Sequence, residues 1–123
     1  MKIVVTATAP AWDAPVDPRF GRGAYFVVVD SATLEWQAHE NPAVAASGGA
    51  GSQAAQFVAQ QGVEAAVSGD FGPNAYITLA AAEINMFLLG PSKTVSEAVS
   101  NLAEGRLEQV KAPTGPGHHG GRS

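Results

Sequence analysis

Residues 63–89 read VEAAVSGDFGPNAYITLAAAEINMFLL, and this stretch decides the fold. Val63 to Ser68 is a short apolar run between Gly62 and Gly69, the pattern of a buried strand. Pro73 then opens a helix to about Ala82, because its fixed φ suits the first helical position and its missing N–H has no partner to lose there. Ile84 to Leu89 repeats the buried-strand pattern. A strand, a helix and a second strand in such a short span demand parallel pairing with a crossover helix.

The same unit recurs upstream. Gly48-Gly49-Ala50-Gly51 follows a connection over Asn41 to Ser47 and leads into a helix from about Ser52 to Gln61. Its apolar stripe is Ala54, Phe57 and Val58, and Gly62 supplies the left-handed stop. Further upstream, Lys2 to Ala7 is apolar on both faces and reads as a buried strand. Ala24 to Asp30 and Leu34 to Glu40 read as a strand pair around Ser31-Ala32-Thr33. The second strand alternates, Leu34, Trp36 and Ala38 against Glu35, Gln37 and His39, so one face is expected to be wet and His39 to be an ordinary surface residue. Between the first strand and this pair lies the loop Ala9 to Gly23, with three prolines and with Trp12 and Phe20 as anchors. Loops of that length are commonly functional.

Downstream, Thr94-Val95-Ser96-Glu97 is a capping box, in which the Thr94 hydroxyl and the Glu97 carboxylate satisfy each other's backbone amides. Val95, Ala98, Val99 and Leu102 keep helical spacing, and Gly105 ends the helix. From Ala112 the chain is Gly, Pro and His with nothing to bury, which predicts a disordered tail over 112–123. The expected architecture is a single α/β domain over 1–111. It has a five-stranded mixed sheet with one antiparallel strand and helices on both faces.

Composition agrees. A chain of 123 residues fits one domain, and 46% hydrophobic against 15% charged residues is enough for a core without staples. The absence of cysteine removes disulfides, thiolate-held zinc and cysteine-ligated iron–sulfur clusters. A net charge of −4 argues against nucleic acid, whose binding rests on many phosphate contacts. No apolar run approaches the ~20 residues of a membrane span, and Met1 leads almost directly into a strand. A cytoplasmic protein is expected.

Chemistry points to the glycine segments. Gly48 to Gly51 and Gly69 to Pro73 each precede a helix, where open amides and the helix dipole attract anions. Parallel α/β topology gathers such loops at one sheet edge. Arg19-Phe20-Gly21-Arg22 offers two guanidiniums that either clamp an anion or pair with Asp13 and Asp17 at the surface. Gly49-Ala50-Gly51-Ser52-Gln53-Ala54 matches the dinucleotide pattern G-x-G-x-x-A, with Asp70 near the offset of a ribose-binding acid. Seven residues separate Glu40 from Gly48, the first of these glycines, however, and a dinucleotide site needs its glycines at a strand tip. The His118-His119 pair offers at most a weak metal site. No cysteine nucleophile and no evident Ser-His-Asp pairing exist, and the first strand lacks the carboxylates of a two-metal nuclease.

Four segments then carry a resemblance. They are Val16-Asp17-Pro18-Arg19-Phe20-Gly21-Arg22, Gly49-Ala50-Gly51-Ser52-Gln53-Ala54-Ala55-Gln56, Ser68-Gly69-Asp70-Phe71-Gly72-Pro73-Asn74-Ala75 and Thr94-Val95-Ser96-Glu97-Ala98. In this order, over residues 1–110, they resemble the dinitrogenase iron–molybdenum cofactor biosynthesis family, and within it the orange-protein branch. The resemblance implies a ribonuclease-H-like three-layer fold and a non-catalytic carrier of an anionic molybdenum-containing metal–sulfur cluster, such as a molybdenum–copper sulfide held non-covalently. It implies cofactor-binding roles for Arg19, Phe20, Gly21, Arg22, Gly49, Gly51, Gln53, Gln56, Gly69, Gly72, Pro73 and Asn74. The alternatives are an interaction module working with a nucleotide-dependent ATPase partner, or a nucleotide-binding protein. Three positions depart from the family pattern. Ala46-Ser47-Gly48 replaces a histidine-bearing segment, Lys93 replaces a glycine and adds a positive charge, and Glu83 replaces a glycine, so the second helix is expected to end differently.

Overall fold

A computed structural model describes residues 1–44 and 48–114. The chain runs β1 (Lys2–Ala7), β2 (Tyr25–Asp30), β3 (Trp36–Glu40), α1 (Ala50–Gln60), β4 (Ala65–Ser68), α2 (Pro73–Ala81), β5 (Asn85–Leu88), α3 (Val95–Ala103) and β6 (Gln109–Val110). The strands form one sheet in the order β3-β2-β1-β4-β5-β6. Pairing is parallel for β1–β4 and β4–β5, and antiparallel for β1–β2, β2–β3 and β5–β6. The sheet therefore has six strands rather than five, with β2 and β6 both reversed. The sixth strand is two residues long and is held by backbone bonds such as Leu88 N–H to the Glu108 carbonyl at 2.9 Å, so no side-chain pattern announces it.

Alternation within β1 sorts the core into two layers. Val4, with Val28, Ala66 and Met86, faces α1 and α2. Ile3 and Val5, with Val27, Val29 and Val67, face α3. Helices cover both faces, two on one side and one on the other. Among the described residues no helix is long and apolar enough to cross a membrane.

His39 departs from expectation. Its ring meets Phe57 of α1 edge-on, with centroids 5.6 Å apart, so His39 is half-buried against the helix while Gln37 and Glu40 of the same strand stay exposed. Trp36, on the other face of this edge strand, is 40% exposed.

The second helix ends as its neighbours do. Gly62 after α1 and Gly105 after α3 take positive φ, and after α2 Glu83 takes φ 62° in the same position. Glu83 N–H donates to the Ala80 carbonyl at 3.0 Å and Ile84 N–H to the Leu79 carbonyl at 3.0 Å, which is a complete Schellman closure. The buried pair Leu79 and Ile84 drives the motif, and a non-glycine residue adopts the left-handed conformation to complete it. The capping box is also displaced. The Thr94 hydroxyl accepts from Glu97 N–H at 3.2 Å, but the Glu97 carboxylate accepts from Lys93 N–H at 2.8 Å instead of from Thr94.

Ala112 to Thr114, expected at the start of a disordered tail, are described and tied down. Thr114 N–H donates to the Phe71 carbonyl and Phe71 N–H to the Thr114 hydroxyl, each at 2.7 Å. His118 and His119 lie outside the described residues.

Candidate functional site

The long loop after β1 is fixed across the carboxyl ends of β1 and β4. Thr6, next to last in β1, and Ser68, last in β4, are both buried with their hydroxyls 3.0 Å apart, and Thr6 Oγ1 donates to the Asp17 carbonyl. Asp17 N–H returns a bond to the Thr6 carbonyl at 2.9 Å, and the backbones of Arg19 and Asp70 then pair in an isolated parallel β-bridge. Gly69 makes this crossing possible. A Cβ there would stand 2.6 Å from Pro18 Cα, so no side chain fits. Phe20 plugs the core between Phe26 and Phe71, with centroids 5.4 and 5.3 Å away.

Asn41 holds the next turn. It is buried, and its Nδ2 donates to the carbonyls of Gly21 at 3.2 Å and Gly23 at 2.9 Å while its Oδ1 accepts from Ala43 N–H at 2.9 Å. Gly21 is thereby pressed onto the start of α1, where a Cβ would lie 3.1 Å from Gly51 Cα. Gly51 in turn approaches Ala75 of α2, since its own added Cβ would be 3.5 Å from Ala75 N. The three glycine segments thus converge because their backbones touch.

Where they converge is a cleft of about 340 Å³. The loop contributes Arg19, Gly21 and Arg22, and α1 contributes Ala50 and Gly51. The second glycine segment and α2 contribute Asp70, Gly72, Pro73, Asn74 and Ala75. Neither α1 nor α2 has a side-chain cap or an acidic residue in its first turn. In α2 the first intrahelical bond is Tyr76 N–H to the Gly72 carbonyl at 2.9 Å, and Pro73 has no N–H. The amides of Asn74 and Ala75, which find no acceptor among the described residues, are those a helix leaves for a ligand.

Charges at the cleft come from the loops alone, because the helices Ala50–Gln60 and Pro73–Ala81 carry no Asp, Glu, Lys or Arg. Asp17, 3% exposed, orients Arg19. Its Oδ1 accepts from Arg19 N–H at 2.9 Å and from Nε at 3.2 Å, and its Oδ2 accepts from Nη2 at 3.2 Å. That hydrogen bonding, and then the Asp17 charge, raise the Arg19 guanidinium above its ordinary value. The Arg19 side chain is still 63% exposed, so it has donors left for a ligand. Burial raises the Asp70 carboxyl above the ordinary carboxylate value, and the Asp17 charge adds to it. A Phe20 backbone hydrogen bond and the Arg19 charge act in the opposite direction.

The sequence profile of the dinitrogenase iron–molybdenum cofactor family matches residues 1–105. The chain belongs to this family. Among solved structures it is similar to the apo form of the orange protein from Desulfovibrio gigas, with 39% identity over 93% of this chain and 96% of that one and a TM-score of 0.88. It is also similar to a protein from Thermotoga described as a NifB protein, with 30% identity over 88% of this chain and 91% of that one and a TM-score of 0.77. No curated protein matches it.

The positions that the resemblance to this family singled out divide in the structure. Arg19, Gly21, Arg22, Gly51, Gly72, Pro73 and Asn74 line the cleft. Gly49 caps α1 at its rim, Phe20 is buried in the core, and Gly69 is packed beneath Pro18. Gln53 and Gln56 lie exposed on α1, outside the lining. Lys93, exposed at the start of α3, also lies outside it. Sequence reading offered Asp17 as a surface partner of the arginines, and it does pair with Arg19, but from a buried position; it missed Asn41, which holds the loop, and undervalued Asp70. The signal for Asn41 was faint: a lone amide at the end of an edge strand.

Proposed function

We propose that this protein is a non-catalytic carrier whose cleft holds an anionic molybdenum-containing metal–sulfur cluster as cargo. The cluster is a molybdenum–copper sulfide or an iron–molybdenum-cofactor-like species, held non-covalently. The observation that carries this reading is the single cleft in which Arg19, Arg22 and the uncapped start of α2 face one volume. Amides and guanidiniums are donors only, and a metal sulfide surface is an acceptor. Among the described residues no group of three or more His, Asp or Glu could hold a metal ion. Such a site fits a preassembled cluster gripped through its outer sulfur or oxygen atoms. The cleft, at about 340 Å³, is near the lower end of ordinary ligand pockets, which run from roughly 300 to 1,000 Å³. Family membership supports a cofactor-type cargo, and the strand order β3-β2-β1-β4-β5 supports the ribonuclease-H-like reading of the fold.

Titration of the apo-protein with tetrathiomolybdate and Cu(I), followed by visible absorption and gel filtration, tests the carrier. Charge-transfer bands that co-elute with the protein, and that are lost in an Arg19→Ala, Arg22→Ala double variant, are the expected result. Metal eluting free, with a spectrum equal to the reagents alone, would replace the carrier with the interaction-module reading.

A further inference from the structure

Asp70 is out of place in a site for an anion. It lines the cleft beside Gly72 and Asn74, yet a carboxylate there repels the ligand that the amides and arginines attract. Its surroundings are well defined. Among the described residues the charged groups lining the cleft are Arg19 and Arg22 on one side and Asp70 on the other, with Asp17 behind Arg19. Helices α1 and α2 add none, and Tyr76, the titratable group of α2, turns its hydroxyl to the Lys111 carbonyl at 2.9 Å. With Asp17 and Asp70 ionised, the two arginines are balanced charge for charge.

We propose that Asp70 is the specificity-determining residue of this cleft, taking up one proton as an anionic ligand binds and then donating a hydrogen bond to it. This rests on the carrier reading above. A protonated carboxyl is the one state of this side chain that both removes the like charge and supplies a donor. Burial, the largest influence, already favours that state in the apo-protein and the Asp17 charge acts in the same direction, against the Phe20 N–H and the Arg19 charge, which favour the carboxylate. An incoming anion raises the carboxyl further, so binding and protonation reinforce each other. The cleft thereby selects acceptor-only anions such as sulfido- and oxometallates over ligands that bring their own donor to this position. Affinity falls as the pH rises between the Asp70 pKa of the free protein and the higher one of the complex, because over that range each binding event captures a proton from solution.

Isothermal calorimetry with tetrathiomolybdate in two buffers of different ionisation enthalpy, at pH 7 and pH 8, measures the protons exchanged. Net uptake approaching one proton in the wild type, absent in Asp70→Asn, is expected. Wild-type affinity should fall about tenfold from pH 7 to pH 8, the consequence of one proton taken up per anion bound, while that of Asp70→Asn, a permanent neutral donor, stays level. Binding with no proton uptake in the wild type overturns the role of Asp70 and leaves the carrier intact. The wild-type measurement decides this even if the variant folds poorly. No binding in either protein at either pH overturns the carrier itself, and this inference with it.

Discussion

The starts of α2 and α3 are built in opposite ways. At α3 every early amide is used. Val95 N–H donates to the Ala14 carbonyl at 3.0 Å, Ser96 N–H to the Trp12 carbonyl at 3.1 Å and Glu97 N–H to the Thr94 hydroxyl at 3.2 Å. An acidic residue, Glu97, stands in the first turn to meet the dipole. At α2 there is no cap, no acid in the first turn and no charged residue in the whole helix. The two helices are the same length, nine residues, so the difference is not one of size. An open helix start costs stability unless something else completes it. The one left open is the one that faces the cleft with two arginines beside it, which is where a ligand would complete it.

The largest expected effect comes from breaking the frame that holds α2 open. Gly69→Ala pushes a Cβ into Pro18 and should destabilise the protein by about 3 kcal/mol, the upper end of overpacking costs, when measured by urea denaturation. Gly72, three residues on, has open space around its Cβ position, so Gly72→Ala should cost far less. Similar losses for both would mean that the Gly69–Pro18 contact is not what sets the loop.

Next comes Asn41→Ala. It strips the bonds to the Gly21 and Gly23 carbonyls and should cost about 2 kcal/mol, within the range for leaving buried polar groups unpaired. Amide exchange should quicken in residues 19–23 before it does in the sheet. A uniform change would give Asn41 a general role in the core instead.

Thr94→Ala should cost about 1 kcal/mol, as for other N-cap residues, and lower the melting temperature by about 4 °C. Tetrathiomolybdate affinity should stay unchanged, because α3 starts away from the cleft. The smallest effect sharpens the contrast most. Asn74→Asp places an acid in the first turn of α2, so it should stabilise the apo-protein by about 0.5 kcal/mol while weakening anion binding. Stability and binding moving in the same direction would contradict the account.

Much of this was legible in the sequence, because the decisive features are local. Pro73 and the flanking apolar runs announced the crossover unit, and the motif segments announced the family. What escaped depended on contacts distant in the chain. Two-residue β6 exists only because β5 offers it an edge. Glu83 occupies a glycine conformation because Leu79 and Ile84 close beneath it. Helix α1 begins at Ala50 rather than Ser52 because Gly49 can take a left-handed cap, which moves the helix start into the cleft. Phe20 and Gly69 belong to motif segments, yet their place is in the packing that forms the site. Motif position says that a residue matters and not whether it touches a ligand.

The most direct test of the contrast is amide chemical-shift mapping by NMR as tetrathiomolybdate is added to the apo-protein. The account predicts the largest shifts at Gly72, Asn74 and Ala75 and over residues 19–22, with Val95, Ser96 and Glu97 unmoved. Shifts centred on the start of α3, or spread without preference over both helices, would contradict it.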